Sequence, residues 1–485
     1  MGGLLQSPFM DIGTRKQLLV DDFVVEDAWN LKRVVTRPAK HHANPLLVAD
    51  QPWEHSRQPG QSNKGLHGNS VMYDRDEGLF KLWYNSSHFV HWNSPEDCTY
   101  TYWIGYATSR DGIVWEKPNV GRFEYDGSTA NNVVLTGEWW ATCGTVLKED
   151  HEPDPARRYK LLYTDIFGIE APEKLVAQHR AGELRAGVCI AYSPDGVHWT
   201  PHAGNPVIDG ESDTMNTVFR DERLDRYVLY MRPPVYAGRW KRRVARAESP
   251  DLLSWGFPET VVTPDELDPV EVYGMPVFPY EGLYFGLLQM YYSDTSMTID
   301  SQLAFSRDGK RWDRLPTRQT FIERGIEHGQ AREFDCGMLF PLPPVTVGDE
   351  LWFYYTGHNV LHNDTGAQES AVGLATLKRD RFVARTPVRQ SEGALVTRAF
   401  ACEGDGLQIN AGAANGRIQA EVLTESGEVV EGFGRGECAA FSGDALAYSV
   451  RWNGAGLSAL RGRTIRLKFY LSEASLYAFQ ITERA

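Results

Sequence analysis

The sequence predicts an all-β protein made of repeated four-stranded units, and two repeated patterns support this prediction. The first pattern is a turn, Ser-x-Asp-Gly-x-x-Trp or a close variant of it. It occurs at 109–115, 193–199, 249–255 and 306–312. A turn-forming Asp-Gly with a tryptophan at a fixed offset is typical of a tight hairpin turn packed on an aromatic ring. The second pattern is the order of strands around each turn.

Each unit opens with a short apolar strand, followed by a polar turn, an aromatic strand, and a third strand that leads to the repeated turn. The expected first strands are 69–73, 144–148, 216–220, 274–278 and 336–340. The fifth unit keeps its third strand at 372–376 but loses the repeated turn. Five four-stranded units that stack radially leave only short, protected edges, so the predicted architecture is a five-bladed β-propeller.

Three segments follow from this pattern. Residues 1–65 form an N-terminal arm, in which a strand at 16–25, centred on Val20, is expected to close the propeller. Residues 66–388 form the propeller. The repeat then stops, and 389–485 is richer in Gly and Ala, with alternating strands at 406–411, 417–423, 447–452, 464–471 and 477–481. This pattern predicts a C-terminal β-sandwich.

Composition excludes several classes of partner. The formal net charge of −14 over 485 residues argues against nucleic acid or an anionic membrane as the ligand. The six cysteines are scattered without metal-ligand or disulfide spacing, and no apolar run is long enough to cross a membrane. No secretory signal is visible, so the expected location is cytoplasmic, or extracellular if a leader has been removed. No cofactor is expected.

The first strands of propeller blades line a central channel, and functional side chains are expected where these strands begin. Four acids fall at such positions in three units, and they are the candidate catalytic residues: Asp213, Glu271, Glu333 and Asp335. Polar and aromatic neighbours at the same mouth are the candidate substrate-binding residues: His67, Asn69, Trp140, Asn216, Tyr273, Arg332 and, from a loop, His328. Carboxylates that converge on one cavity repel one another, which shifts their pKa values.

Clustered carboxylates with aromatic faces indicate glycoside hydrolysis. One carboxylic acid protonates the leaving oxygen, and a second carboxylate activates water or attacks the anomeric carbon. By position, Glu271 is the candidate general acid and Asp335 the candidate base or nucleophile. Trp140 and Tyr273 offer apolar faces to sugar rings, and the histidines, asparagines and arginine offer groups that bind hydroxyls.

Five units with this turn and a trailing β-domain resemble the five-bladed glycosidases of glycoside hydrolase families 32, 43, 62, 68 and 130. The resemblance implies an exo-acting enzyme on furanosides, xylosides or mannosides, with acids from separate blades. It also implies that a structural cation in the channel, as in some family 43 members, is compatible with the fold. The Asn-Asp-Pro-Asn-Gly opening of β-fructosidases is absent, and Arg220-Asp221-Glu222 falls in a hairpin turn rather than at the channel mouth. No Glu-Cys pair stands at the acid position.

Two alternatives stay open. A non-catalytic carbohydrate-binding propeller has the same architecture, since a fold does not determine its function. A glycoside phosphorylase needs basic groups beside the acids to hold phosphate, and Arg57 and Arg332 are the candidates for that role.

Overall fold

Almost all regular structure is β, which confirms the all-β class. The computed structural model describes residues 10–58, 61–94, 97–210, 212–234, 241–328, 331–362, 369–389 and 391–484. One α-helix, Leu175–Ala181, lies in the described part. The 3₁₀ turns there are Pro52–Glu54, Pro155–Arg157, Pro172–Lys174, Arg435–Glu437 and Ser458–Leu460.

Between residues 67 and 378 the strands form five antiparallel groups in chain order. Group 1 is His67–Asp74, Leu79–Ser94, Asp97–Ser109 and Val133–Leu135. Group 2 is Thr142–Lys148, Tyr159–Phe167, Arg185–Ser193, Thr200–Pro201 and Ile208–Asp209. Group 3 is Thr217–Asp221, Arg226–Met231, Val244–Ser249 and Glu259–Val262. Group 4 is Glu271–Gly274, Val277–Tyr280, Leu283–Tyr291 and Ile299–Ser306. Group 5 is Met338–Pro341, Val345–Val347, Glu350–His358 and Glu369–Lys378.

A ten-stranded sheet holds both ends of the described chain. Its strands are Gln17–Leu18, Val25–Trp29, Leu31–Val35, Val383–Pro387, Gly393–Thr397, Phe400–Ala401, Gly406–Thr424, Phe441–Val450, Thr464–Ser472 and Ser475–Thr482. The segments 406–411 and 417–423, expected as two strands, are parts of one long strand. A two-stranded ribbon, Glu327–His328 with Ala331–Arg332, stands apart from these sheets.

The N-terminal arm does not contribute the strand expected at 16–25. The chain forms a strand only at Gln17–Leu18, which pairs with Ser475–Thr482 of the ten-stranded sheet. The Asp21 carboxylate accepts the backbone N–H of Phe23, and this local hydrogen bond competes with a continuous strand. Two other arm segments, Ala39–Lys40 and Gln61–Gly65, pair with the last strand of group 5 instead, the first antiparallel and the second parallel. On its other edge, Gln61–Gly65 pairs with His55–Gln58.

The repeated turn is the same structure in all four copies. In the first, the Ser109 hydroxyl accepts the N–H of Gly112, and the Asp111 carboxylate accepts the N–H groups of Ile113 and Val114. The corresponding bonds form in the copies at 193–199, 249–255 and 306–312. These N–H bonds lower the pKa of Asp111. The glycine adopts a positive φ of 75° in the first copy.

Aromatic side chains of one group hold the turn of the next group. The Trp83 indole N–H donates to the carbonyl of Gly196 at 2.8 Å, and the Tyr230 hydroxyl donates to the carbonyl of Gly309 at 2.7 Å. The Tyr354 hydroxyl of group 5 donates in the same way to the carbonyl of Gly112 in group 1, at 2.8 Å. The last group is therefore joined to the first by the interaction that joins groups 1 to 2 and 3 to 4.

We expect Gly112→Ala to destabilise the protein more than Gly121→Ala. At Gly112 a Cβ would lie 2.6 Å from the Tyr354 hydroxyl oxygen and 2.9 Å from Trp352, whereas at Gly121 it would meet open space. Both glycines have a positive φ. The strained φ costs about 1–2 kcal/mol in either variant, and overpacking adds about 1–3 kcal/mol at Gly112 alone. Thermal and denaturant unfolding of both variants measure the difference; equal losses would show that the turn is not held by Tyr354.

Candidate functional site

Polar and aromatic side chains of several groups meet at one end of the strands. In an antiparallel group the first strand begins where its neighbour ends. Glu271 therefore pairs with Tyr291 in group 4, and Met338 pairs with His358 in group 5. The starts of first strands and the ends of their neighbours thus supply one cluster of side chains, as expected for a channel mouth. This cluster, named here the Tyr273 cluster, comprises His67, Asp213, Arg232, Arg242, Glu271, Tyr273, Tyr291, Phe340, His358 and His362.

Tyr273 lies at the centre of the cluster, with two guanidinium groups against its ring. The central carbon of Arg232 lies 4.9 Å from the ring centroid and that of Arg242 lies 5.0 Å from it. The rings of Phe340 and Tyr291 meet the same phenol edge-on, with centroids at 5.5 and 5.9 Å. Burial and the charge of a nearby carboxylate raise the pKa of Tyr273 to about 12, so its hydroxyl keeps its proton near neutral pH.

Each of the two arginines holds a carboxylate. Arg242 donates to Glu271 at 2.8 Å through one terminal nitrogen of its side chain, and its backbone N–H donates to the same carboxylate oxygen at 3.2 Å. Arg232 donates to Asp213 at 3.4 Å. The Glu271 residue is 8% exposed, whereas the Asp213 side chain is 40% exposed. The cluster therefore presents one buried and one accessible carboxylate.

The pKa of Glu271 lies below its ordinary value. Burial raises this pKa, but the side-chain and backbone hydrogen bonds of Arg242, a hydrogen bond from Ser293 and the charge of Arg242 together lower it by more. Glu271 is therefore ionised near neutral pH. An ionised carboxylate suits a base, a nucleophile or a charge-stabilising group, and it does not suit the general-acid role expected from its position.

Three histidines form the other side of the cluster. The rings of His67 and His358 lie 5.9 Å apart, and both contact Phe340. His362 lies 5.3 Å from Tyr273 between ring centroids. Burial lowers the pKa of His67 to about 4, although the charge of Asp213 raises it, and burial together with the other two histidines lowers the pKa of His358 to about 3. Both imidazoles are therefore neutral near pH 7.

Two side chains here carry polar atoms without hydrogen-bond partners among the described residues. They are Asn69, whose amide nitrogen and oxygen are both unpaired and which is 1% exposed, and His358, whose two ring nitrogens are both unpaired. Asn69 lies two residues along the strand from His67. Buried polar groups are normally hydrogen-bonded, so each exception requires an explanation, such as a ligand or water that the groups would bind.

Asp335 lies outside the Tyr273 cluster. It is 1% exposed, and it binds the Lys40 ammonium at 2.6 Å and the Tyr355 hydroxyl at 2.9 Å. Lys40 belongs to the arm segment that pairs with group 5, so the Asp335 carboxylate fastens the arm to that group. The predicted role of Asp335 as base or nucleophile stays a prediction, and the described contacts of its carboxylate are with Lys40 and Tyr355.

Arg332 and Glu333, the two predicted site residues that precede Asp335, are exposed. Glu333 accepts the backbone N–H of Ile326, and Arg332 forms an ion pair with Glu327 within the two-stranded ribbon. None of the described contacts joins either of them to Tyr273. His328 belongs to the same ribbon by its backbone, but its side chain lies outside the described residues, as does that of Arg57.

Asn216 and Trp140 also differ from expectation. The Asn216 amide accepts the Ser212 hydroxyl at 2.6 Å and donates to the Thr164 hydroxyl at 2.9 Å, which leaves it fully buried and occupied inside the protein. It therefore braces the loop before group 3 rather than binding substrate. Trp140 is half-buried, packs edge-on against Tyr102 and donates its backbone N–H to Asp165, and its ring has no described contact with the cluster.

Six members of the cluster were not predicted from sequence: Arg232, Arg242, Tyr291, Phe340, His358 and His362. In each unit the second, aromatic strand pairs antiparallel with the first, so its end lies beside the start of the first strand. Arg232 follows the aromatic strand Arg226–Met231, and Tyr291 and His358 end the aromatic strands Leu283–Tyr291 and Glu350–His358. The available signal was the strand order itself. A search that includes the end of each second strand finds Arg232, Tyr291 and His358.

No three His, Cys, Asp or Glu side chains converge as a metal-ion site in the part of the chain that the structure describes. Of the helices described, none has both the length and the apolar character that a membrane crossing requires.

We expect His67→Gln to weaken the loss of stability on acidification. Because the pKa of His67 is about 4 when folded and about 6.5 when unfolded, the unfolded chain binds more protons between these values, and the unfolding free energy falls as pH drops through that window. Removing the imidazole removes this contribution, so the parent and the variant should differ less in stability at pH 5 than at pH 7. Denaturant unfolding from pH 7 to pH 4.5 measures this, with the exposed His151→Gln as the control; parallel curves for the parent and His67→Gln would contradict a neutral buried imidazole.

The chain is similar in fold to several solved structures of carbohydrate-active enzymes. A β-1,2-mannobiose phosphorylase from Listeria innocua is 13% identical, with a TM-score of 0.49, over 71% of this chain and 97% of that one. A structure of family 130 glycoside hydrolases that target β-1,2-mannosidic linkages in Candida mannan is 15% identical, with a TM-score of 0.45, over 75% and 97%. The family 32 β-fructofuranosidase of Bombyx mori is 14% identical, with a TM-score of 0.40, over 90% and 95%. No family model and no curated protein matches the chain. Families 130 and 32, named from the sequence, both occur among these similar structures.

Proposed function

We propose that this chain is a glycoside hydrolase whose reaction centre is the Tyr273 cluster. The observation that carries the proposal is the pair of carboxylates, Asp213 and Glu271, each held by an arginine that lies against the same tyrosine ring. Cleavage of a glycosidic bond requires two carboxyl groups beside an apolar face on which a sugar ring can rest. Both acids were candidates from sequence, and this is where they come together.

The two carboxylates differ in their surroundings, which suggests different roles. Glu271 is buried, ionised and held by two donors of Arg242, so we assign it the nucleophile or base role. Asp213 is more accessible, and its contact with Arg232 is longer, so its oxygens are freer to change partner. We assign proton donation to Asp213. In the overall reaction the anomeric C–O bond breaks, the leaving oxygen gains a proton, and the oxygen of water forms the new bond to the anomeric carbon.

We propose an exo-acting enzyme that removes a terminal sugar, a furanoside, a xyloside or a similar unit, as the sequence resemblance implies. The difference in exposure supports this, because Phe340 and Tyr291 are buried whereas the Asp213 side chain is 40% exposed, as in a site that is closed at one end. Such a site admits one end of a sugar chain rather than its middle. The neutral imidazoles and the Asn69 amide supply the hydrogen bonds that sugar hydroxyls require.

The architecture that fits this proposal is a five-bladed β-propeller over 66–388, in which the five strand groups are the blades. Support comes from the hydrogen bond of Tyr354 to the turn of group 1, which joins the last group to the first. We further propose that 389–485 folds as a β-sandwich packed beside the propeller and that 1–65 is the arm that links the two. The arm pairs both with the ten-stranded sheet and with group 5, which supports the linking role.

Phosphorolysis is the second candidate, because the cluster holds the basic groups that it requires. These are Arg232 and Arg242, rather than the Arg57 and Arg332 considered from sequence. In phosphorolysis a phosphate oxygen, instead of a water oxygen, forms the new bond to the anomeric carbon. For the third possibility, a binding module without catalysis, the described residues offer no specific support.

We expect the chain to cleave at least one glycoside in a panel of aryl furanosides, xylosides, arabinosides, rhamnosides, fucosides and mannosides and plant oligosaccharides, assayed with and without phosphate. Turnover without phosphate indicates hydrolysis, and turnover only with phosphate indicates phosphorolysis. On the substrate found, Glu271→Gln and Asp213→Asn should each lower kcat by at least about 10²-fold, the scale typical of a missing acid or base.

Glu392→Gln is the matched control for these variants. Glu392 is also a carboxylate paired with an arginine, Arg435, and its pKa is lowered by that arginine, but it directly precedes the strand Gly393–Thr397 of the ten-stranded sheet. Its removal should leave turnover unchanged. Full activity in both Glu271→Gln and Asp213→Asn, on a substrate that the parent cleaves, would show that the reaction centre lies elsewhere; sugar binding that survives in both, with no turnover by the parent, would indicate a binding module.

A further inference from the structure

The ion pair between Arg242 and Glu271 uses fewer side-chain hydrogen bonds than the ion pair between Arg435 and Glu392 in the same chain. Arg435 places both terminal nitrogens on the two oxygens of Glu392, at 2.8 and 2.5 Å, and its third nitrogen donates to Gln419 at 3.2 Å. Arg242 uses a single side-chain nitrogen on a single oxygen of Glu271. Its inner nitrogen, Nε, is buried and lacks an acceptor among the described residues.

A guanidinium presents five N–H donors in a fixed plane that matches an oxyanion. Among the residues that the structure describes, the Arg242 side chain has one hydrogen bond, to Glu271, and its buried Nε has no acceptor there. Arg232 is the second guanidinium group in contact with the Tyr273 ring, and its central carbon lies 4.9 Å from the ring centroid. Both guanidinium groups therefore lie within 5.0 Å of the Tyr273 ring centroid, and a negatively charged group beside this ring is attracted by both.

The charge of the site limits which anion fits. The two arginines carry two positive charges, Glu271 carries one negative charge, and His67 and His358 are neutral, so with Asp213 protonated for proton donation these side chains carry one net positive charge, which matches a single negative charge rather than a dianion. A single negative charge that binds the remaining donors of Arg242 meets less repulsion from Glu271 than a doubly charged phosphate does. These charges favour a carboxylate.

The unpaired polar groups indicate what the carboxylate is attached to. The two ring nitrogens of His358 and the amide of Asn69 are buried without partners among the described residues, and they are neutral groups that both donate and accept hydrogen bonds. Neutral donor–acceptor groups beside an aromatic face are suited to sugar hydroxyls. Arg242 contacts Tyr273, and His358 contacts Phe340. Because Tyr273 and Phe340 contact each other, these two rings connect Arg242 with His358.

We propose that the Tyr273 cluster recognises an acidic sugar, a uronic acid unit, whose carboxylate binds Arg242 and Arg232 while His358 and Asn69 bind its hydroxyls. This rests on the proposed function, since it names the substrate class of the same site. Arg242 and His358 are then the residues that determine specificity for this substrate.

The test compares the binding of a uronic acid and of its uncharged methyl ester to the intact protein. Isothermal titration is carried out with galacturonic acid, glucuronic acid and their methyl esters, each also as the methyl glycoside, so that each acid is paired with a ligand that lacks its charge. The acid is expected to bind at least about tenfold more tightly than its ester, as a charge-assisted pair requires. Arg242→Met, which keeps the length of the side chain, should remove this preference, and Arg242→Lys should restore part of it. Arg435→Met, the matched change at the ion pair with Glu392, should leave it intact.

Near-ultraviolet circular dichroism shows whether Arg242→Met keeps the native fold, and the comparison of acid and ester on the parent needs no variant. Equal binding of acid and ester, or binding of inorganic phosphate and neutral sugar with no preference for the uronic acid, overturns the inference. Cleavage of neutral glycosides that depends on Asp213 and Glu271, without any preference for acid over ester, overturns it while the proposed function stands. Preference for the acid without cleavage of any glycoside, aryl galacturonides and glucuronides included, supports it and removes the proposed function instead.

Discussion

The structure depends on a hydrogen bond from an aromatic side chain in one strand group to a turn carbonyl in the next. Trp83, Tyr230 and Tyr354 each make this bond, to Gly196, Gly309 and Gly112. The turn can accept it because its own Ser and Asp side chains already satisfy its N–H groups, which leaves the carbonyl for the neighbour. The glycine also lets the aromatic ring approach closely. One local pattern therefore builds each turn and also joins successive groups.

The candidate site depends on this joining, because several of its contacts connect different strand groups. His67 begins group 1 and meets His358 at the end of the neighbouring strand in group 5, across the junction that Tyr354 maintains. Tyr273 of group 4 meets Arg232, which follows a strand of group 3. A change that loosens a junction therefore shifts one side of the site relative to the other. The stability of the turns and the geometry of the site are coupled for this reason.

Sequence reasoning identified the repeat because the repeat is local: the turn at 109–115 contains all the atoms that shape it. It also predicted that functional side chains lie at the starts of first strands, and four of the residues so chosen, His67, Asp213, Glu271 and Tyr273, belong to one cluster. It failed where partners are distant in sequence. Nothing near Asp335 indicates that Lys40, 295 residues earlier, binds it. Likewise, nothing near Arg242 indicates that it binds Glu271, which lies 29 residues later in another strand group.

Asn69 and Asn216 show why position alone does not decide function. The two asparagines align in the repeat, yet Asn216 is satisfied by Ser212 and Thr164, while both polar atoms of Asn69 lack partners among the described residues. Leaving a buried amide unpaired costs about 1–3 kcal/mol. A fold could avoid that cost with a neighbouring hydroxyl, as it does at Asn216. The unpaired Asn69 and His358 are better explained by an external partner that supplies the missing hydrogen bonds, and a sugar with several hydroxyls is such a partner.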